Sequence, residues 1–164
     1  MIRGKVWKYG DDVNTDVIFP GRYTYTITDP GEIASHALED LDPTFAKNVR
    51  PGDIVVAGKN FGCGSSREQA ALCLKYAGVA AVVAASFARI FFRNAINGGL
   101  PTVTAPEAIA RINAGDEISI DFEAGELTAA DGSSYEFARL PAEVVGILEA
   151  GGLVPWVKKE LGAK

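Results

Sequence analysis

Residues 58–68 read Gly-Lys-Asn-Phe-Gly-Cys-Gly-Ser-Ser-Arg-Glu, a glycine-rich loop between two segments with the composition of regular structure. The preceding apolar run, 54–57, is typical of a short buried strand. The following segment, 68–76, is rich in Ala and Leu and favours a helix. A strand, a glycine loop and the start of a helix are therefore expected to meet here.

The composition of this loop suits an anion. Gly62 and Gly64 allow a ligand to approach the main chain closely. We expect Ser65 or Ser66 to cap the helix, while the free N–H groups of its first turn and the Arg67 guanidinium create a positive site. A capped helix without a ligand is the plainer interpretation, but this combination favours a carboxylate or phosphate site. The spacing matches neither a nucleotide P-loop nor a dinucleotide-binding Gly-x-Gly-x-x-Gly motif.

The rest of the chain predicts an α/β fold. Residues 79–84 form an apolar run that indicates a strand buried on both faces, and hence a parallel or mixed sheet flanked by helices. Alternating segments predict an N-terminal strand over 4–9 and a β-meander over 117–122, 126–129 and 134–137. Helices are expected over 30–39, 86–97 with Ser86 as cap, 106–113, 141–150 and 153–161, an exposed loop over 20–30, and an irregular connection over 40–51. No linker is apparent, so residues 1–164 are expected to form one domain.

Composition and charge exclude several functions. The 164 residues carry a formal charge of −5, with Lys and Arg scattered, which argues against nucleic-acid binding. No apolar run approaches a membrane span, and the N-terminus lacks the apolar core of a signal peptide, so a cytoplasmic protein is expected.

Cysteine and histidine are scarce. Cys63 and Cys73 are the two cysteines, and their spacing predicts reduced thiols instead of a disulfide or redox pair. His36 is the single histidine, expected at the surface or facing a partner. Because an iron–sulfur cluster needs three or four cysteine ligands, no metal site is expected on this chain. Arg89 and Arg93 share one helix face, and at least one is expected to pair with an acidic neighbour.

Three motifs together resemble a known family. Residues 14–23 read Asn-Thr-Asp-Val-Ile-Phe-Pro-Gly-Arg-Tyr, and residues 86–94 read Ser-Phe-Ala-Arg-Ile-Phe-Phe-Arg-Asn. With the loop at 58–68, they resemble the swivelling domain of the aconitase superfamily. The closest likeness is to its free-standing form, the small subunit of 3-isopropylmalate dehydratase. The resemblance implies a single swivelling β/β/α domain.

The resemblance also implies a chemistry. It implies a hydro-lyase that is active only with a large subunit, and the large subunit carries the [4Fe–4S] cluster. Carried over, Ser65 is the catalytic base, and Ser66 and Arg67, with Gly64, hold a substrate carboxylate. Asp16 becomes an active-site carboxylate that orients these groups or relays a proton.

The substrate depends, by the same resemblance, on the loop that follows Arg22. In the family an apolar side chain there suits isopropylmalate, and an arginine suits a γ-carboxylate. Here the loop reads Tyr23, Thr24, Tyr25 and Thr26. The leading function is isomerisation of 3-isopropylmalate to 2-isopropylmalate in leucine biosynthesis, by dehydration and rehydration. Citramalate, 2,3-dimethylmalate and homocitrate or homoisocitrate (a homoaconitate hydratase) remain alternatives, as does a non-catalytic dicarboxylate-binding module.

Overall fold

The structure is a computed structural model, and it describes residues 1–162. These residues contain seven strands that form one mixed sheet. The strands are β1 (Ile2–Lys8), β2 (Ile54–Ala57), β3 (Ala81–Ala84), β4 (Thr102–Thr104), β5 (Glu117–Asp121), β6 (Glu126–Thr128) and β7 (Ser134–Glu136). Their order across the sheet is β4-β3-β2-β1-β5-β6-β7.

Strand β1 lies between a parallel half and an antiparallel half of the sheet. It pairs in parallel with β2, with Val6 opposite Ile54, and the parallel half continues through β3 to β4. On its other side β1 pairs antiparallel with β5, with Ile2 opposite Ile120, and β5, β6 and β7 follow as a meander. The mixed sheet and the meander predicted from the sequence are confirmed.

Helices pack against the parallel half of the sheet. In chain order the described residues form α1 (Thr15–Ile18), a 3-10 turn (Gly21–Tyr23), α2 (Pro30–Ser35), α3 (Phe45–Asn48), α4 (Glu68–Tyr76), α5 (Arg89–Gly98), α6 (Pro106–Ile109), α7 (Ala142–Glu149) and α8 (Leu153–Glu160).

Alternate residues of the buried strands supply two cores. Val55 and Val82 face a cluster that includes Leu74 of α4 and Phe91 of α5. Their neighbours on the same strands, such as Val56, belong to a second cluster shared with the meander. A strand buried on both faces reads as a continuous apolar run, which explains why 79–84 shows no alternation.

Both predicted serine caps are wrong. Helix α4 begins at Glu68 with Arg67 in the N-cap position and no side-chain cap, so neither Ser65 nor Ser66 serves it. Helix α5 likewise begins three residues after Ser86. The Ser86 hydroxyl instead accepts a hydrogen bond from the Asn60 N–H at 2.8 Å and ties two loops together.

The segment predicted as a helix over 30–39 is also shorter than expected. Helix α2 ends at Ser35, and the chain continues in tight turns to residue 41. Leu38 adopts a φ of +56° while its N–H donates to the Ile18 carbonyl oxygen at 2.8 Å. The helix therefore does not continue to residue 39, because a residue with this φ lies outside the right-handed helical region, and the Leu38 side chain is completely buried. Similarly, α6 stops at Ile109, and the segments 20–30 and 40–51 contain the 3-10 turn and α3.

Candidate active site

The motif residues meet at the carboxyl ends of β1, β2 and β3. Two backbone hydrogen bonds join the loop after β2 to the segment after β1. The Gly62 N–H donates to the Val13 carbonyl oxygen at 2.7 Å, and the Thr15 N–H donates to the Cys63 carbonyl oxygen at 2.8 Å. The same loop is joined to the segment after β3, because the Phe61 N–H donates a hydrogen bond to the Ser86 carbonyl oxygen at 3.0 Å. This edge of a parallel sheet is where ligands commonly bind.

Two glycines of the loop have different physical tasks. Gly62 has a φ of +82°, and a Cβ there would lie 2.2 Å from Cγ of Phe91, so the backbone rests directly on that ring. Gly64 has a φ of +98°, and a Cβ there would make only ordinary van der Waals contacts, the nearest being with the Thr15 hydroxyl oxygen at 3.4 Å. Gly62 therefore fixes the base of the loop, and Gly64 lets the tip turn beside the segment after β1.

Arg67 and Asp16 form an ion pair in this site. Nη2 of Arg67 donates to Oδ1 of Asp16 and lies 3.4 Å from the Thr15 hydroxyl oxygen. The Arg67 side chain is only 15% exposed, whereas that of Asp16 is 68% exposed. Nε of Arg67 is buried and has no hydrogen-bond partner. The structure thus brings together two predicted site residues and leaves the buried Nε–H without an acceptor.

Ser65 and Ser66 lie exposed at the tip of the loop. The Ser65 carbonyl oxygen accepts a hydrogen bond from the Arg67 N–H at 2.9 Å, which folds the two serines over the start of α4. Within residues 1–162 the structure shows no hydrogen-bond partner for either hydroxyl. Both hydroxyls are therefore available to a substrate or to a partner surface.

The predicted specificity loop lies against the same site. Gln69 of α4 donates through Nε2 to the Thr24 carbonyl oxygen at 3.5 Å. Tyr23 and Thr24 are half-buried, and the Thr24 hydroxyl oxygen has no hydrogen-bond partner. Tyr25 is 95% exposed and Thr26 is also exposed. In this loop, Tyr23 and Thr24 are therefore partly covered by the protein, whereas Tyr25 and Thr26 project into solvent.

Sequence reasoning missed Gly21 as a neighbour of Arg67 and Gln69 as a contact of Thr24. A Cβ on Gly21 would lie 2.1 Å from Nη1 of Arg67, so the glycine packs directly on the guanidinium. Gly21 stands between the Pro and Arg of the N-terminal motif, and Gln69 directly follows the Ser-Ser-Arg-Glu segment. Their place in the motifs was the available signal, but residue type alone assigns neither a role.

The expected ion pair of an arginine on α5 is wrong. Arg89 and Arg93 are exposed, and neither forms an ion pair with any residue among 1–162. No carboxylate stands three or four positions from either on α5, so the helix offers no partner. His36 stacks on Tyr23 of the same chain while its side chain stays 25% exposed, and its contact with a partner stays a prediction.

The two cysteines of this chain, both in the part that the structure describes, form neither a disulfide nor a metal site. Cys63 and Cys73 are both free. Burial raises the pKa of the Cys73 thiol far above its usual range, which leaves this cysteine inert as a nucleophile. Residues 1–162 contain no group of three or more His, Cys, Asp or Glu side chains that could hold a metal ion. The side chains of this chain therefore do not fit an iron–sulfur cluster.

Among residues 1–162, every helix is too short or too polar to cross a lipid bilayer.

Comparisons with known proteins identify the family of this chain. The aconitase C-terminal domain family matches residues 20–108. A 3-isopropylmalate dehydratase small subunit of Moorella thermoacetica is 56% identical over 162 residues, which cover 98% of this chain and 97% of that relative. The chain belongs to the family of 3-isopropylmalate dehydratase small subunits. As a member of this family, it is a component of a hydro-lyase, and "small subunit" implies a large-subunit partner.

The family fold is shown by a solved relative. The crystal structure of a 3-isopropylmalate dehydratase from Methanocaldococcus jannaschii superposes with a TM-score of 0.91 at 46% sequence identity, covering 98% of this chain and 95% of that one. Family members differ in the acid that their names give. A 2,3-dimethylmalate dehydratase small subunit of Eubacterium barkeri is 50% identical over 156 residues, covering 94% of this chain and 95% of that relative. Overall identity at this level therefore does not select the substrate.

Proposed function

We propose that this chain, with an iron–sulfur large subunit, isomerises 3-isopropylmalate to 2-isopropylmalate in leucine biosynthesis. The observation that carries the proposal is the Arg67–Asp16 pair beside two unengaged hydroxyls, Ser65 and Ser66. The pair supplies a fixed cation at the end of a parallel sheet, where a substrate carboxylate can bind. In this proposal residues 1–164 act as one swivelling domain that closes half of the active site.

Arg67 is the proposed carboxylate ligand. Its side chain is 15% exposed, and Asp16 engages it only through Nη2. A substrate carboxylate would bind the part of the guanidinium that Asp16 leaves open, and the Ser66 hydroxyl and the backbone at Gly64 would bind the same group. Asp16 keeps the guanidinium oriented, because the ion pair fixes one edge of the fork.

Ser65 is the proposed base. Dehydration removes a hydroxyl from one carbon and a proton from its neighbour, and Ser65 as the alkoxide takes that proton to become a neutral hydroxyl. Rehydration reverses the transfer, and Ser65 returns a proton to the unsaturated acid. The alkoxide needs positive surroundings, which Arg67 and the backbone N–H groups of the loop supply.

We propose that the [4Fe–4S] cluster is held by the large subunit, where it supplies Lewis-acid chemistry. The residues of this chain do not fit as its ligands, so the steps assigned here to this chain are binding, orientation and proton transfer. We also propose that the assembled enzyme works in the cytoplasm, a compartment that keeps thiols such as Cys63 reduced.

The substrate is the least constrained part of the proposal. The loop from Tyr23 to Thr26 offers no arginine for a γ-carboxylate, which supports an acid without that group. Among such acids, 3-isopropylmalate is the one named for several relatives. Citramalate and 2,3-dimethylmalate follow, since relatives at 49% and 50% identity carry those names. Homocitrate and homoisocitrate come last.

The test is anaerobic co-purification of this chain with its large subunit. The complex is assayed for iron, for labile sulfide and for dehydration of 3-isopropylmalate, citramalate, 2,3-dimethylmalate and homocitrate in parallel. We expect an iron–sulfur complex with the highest kcat/KM for 3-isopropylmalate. Highest kcat/KM for another acid would replace the substrate. Dicarboxylate binding by the isolated chain, without a co-purifying partner or dehydratase activity, would favour the non-catalytic binding module.

A further inference from the structure

The carboxylate of Glu39 contacts Arg22 and Tyr23, which lie at the start of the specificity loop, and also contacts His36. Its Oε1 accepts a hydrogen bond from Nη2 of Arg22 at 3.1 Å and another from the Tyr23 hydroxyl at 3.3 Å. Its Oε2 lies 2.5 Å from Nδ1 of His36. Because an ionised carboxylate only accepts, the proton of this last bond belongs to Nδ1.

The three partners of Glu39 also contact one another. The rings of Tyr23 and His36 stack with centroids 4.0 Å apart, and the guanidinium carbon of Arg22 lies 4.8 Å from the Tyr23 ring centroid. Nη1 of Arg22 lies 3.6 Å from Oδ2 of Asp40, which adds a second anchor for the same side chain. Residues 36–40 therefore contact the side chains of both Arg22 and Tyr23.

The location of this cluster matters for the loop that follows. Glu39 lies in the turns after α2, outside every motif that carries the family resemblance. Arg22 and Tyr23 directly precede Thr24 and Tyr25, the inward and outward positions of the loop. Fixing the first two residues limits where the next two can lie, because the backbone between neighbours has only two soft dihedral angles per residue.

We propose that Glu39 is a positioning residue that sets the substrate preference of the enzyme by holding Arg22 and Tyr23. This inference rests on the proposed function, since it assumes that the loop from Tyr23 to Thr26 sorts malate-type acids. Glu39 does not touch the substrate in this arrangement. It acts through the loop, so its loss changes the binding of one acid relative to another more than it changes turnover.

The variants are Glu39→Ala, Glu39→Gln and the control Glu117→Ala. Glutamine keeps an acceptor oxygen for Arg22 and Tyr23, so it should rescue much of the alanine defect. Glu117 forms an exposed ion pair with Arg3 on the antiparallel half of the sheet, and its loss removes a comparable surface contact elsewhere.

The first measurement needs no activity. Chymotrypsin cleaves after tyrosine, and limited proteolysis of the full-length chain reports how freely the backbone at Tyr23 and Tyr25 opens. We expect faster cleavage at these sites in Glu39→Ala, an intermediate rate in Glu39→Gln, and the native rate in Glu117→Ala. An unchanged rate in Glu39→Ala would overturn the inference, because the carboxylate would not be holding the loop.

The second measurement uses the complex with the large subunit. We expect the ratio of kcat/KM for 3-isopropylmalate to that for citramalate to fall roughly tenfold in Glu39→Ala, mainly through KM, which is at the low end of discrimination by an apolar pocket. Faster cleavage with an unchanged ratio would overturn the role in specificity. If the wild-type complex dehydrates none of the acids, the proposed function fails, whereas proteolysis still decides whether Glu39 holds the loop.

Discussion

The guanidinium of Arg67 is paired with the carboxylate of Asp16, although 51 positions separate them in the sequence. One residue follows β1 and the other follows β2, and the pair joins the two loops across the edge of the sheet. A planar guanidinium can bind Asp16 along one edge and a second acceptor along another. The geometry therefore allows Arg67 to serve the fold and a substrate at once.

Arg67→Lys should weaken substrate binding while the chain remains folded. Lysine keeps the positive charge for Asp16 but lacks the second edge, so one charged hydrogen bond to the substrate is lost. We expect KM of the assembled enzyme to rise roughly 10–100-fold, equivalent to about 1.5–3 kcal/mol. Steady-state kinetics on the complex measure this change. A native KM would show that Arg67 is not a substrate ligand.

Ser65→Ala should abolish most turnover without affecting assembly. The hydroxyl is exposed, so its removal should leave the fold intact, but the proposed base is gone. We expect kcat to fall by about 10²–10⁴-fold, the usual contribution of general base catalysis. The matched control is Ser134→Ala, an exposed serine on β7, which should keep the native kcat. Near-native turnover of Ser65→Ala would refute the assignment of the base.

Gly62→Ala should destabilise the chain by about 2–5 kcal/mol, combining a left-handed backbone penalty with overpacking. The new methyl group would overlap the Phe91 ring in addition to adopting a φ of +82°. Gly132→Ala is the control, because Gly132 has a similar φ of +85° but no atom within 4 Å of the added methyl. Urea unfolding of both variants separates the backbone penalty from the overlap with Phe91. Equal losses in the free energy of unfolding would show that the contact with Phe91 is unimportant.

Stability should fall in acid. Burial alone would raise the pKa of Glu39, but hydrogen bonds and charges from His36, Arg22 and Tyr23 outweigh it and leave that pKa below the ordinary 4.5. The pKa of Asp42 is likewise lowered below 3.8, since hydrogen bonds from Thr44 and Tyr9 exceed the opposing effect of burial.

A carboxyl whose pKa is lower in the folded state binds fewer protons there than in the unfolded chain. Its stabilisation is therefore complete above the unfolded pKa and is lost as the pH falls through the folded one. We expect the free energy of unfolding, measured in urea, to decrease from about pH 5 to about pH 3, and less steeply in Glu39→Gln. Parallel decreases in the two proteins would show that Glu39 is not among the groups responsible.

The sequence predicted the architecture better than the details of the site. The apolar run at 79–84 and the alternating segments of the meander follow directly from burial, so the mixed sheet was accessible from pattern alone. The Ser86 cap failed because its hydroxyl binds the N–H of Asn60, whereas Ser65 and Ser66 fail as caps because Arg67 occupies the N-cap position of α4. A local preference of about 1 kcal/mol is readily outweighed by such contacts.

Contacts between distant residues were harder to predict. The motif resemblance placed Asp16 and Arg67 in one site, but no spacing rule predicts their ion pair across two loops. The gathering of side chains at Glu39 depends on a turn through Leu38 with a φ of +56°, a conformation that leucine rarely adopts. Nothing in the composition of 36–41 indicates that turn, so the stacking of His36 on Tyr23 was not predicted.

The position of β1 between the two halves of the sheet has a consequence for synthesis on the ribosome. One edge of β1 can pair with β2 early, but the other must wait for β5, about sixty residues after β2 ends. At roughly 5–20 residues per second, that edge stays open for roughly 3–12 s. An unpaired strand edge is a template for association with other chains. The nascent subunit is therefore most vulnerable to aggregation after the loops of the candidate site have emerged and before the meander has.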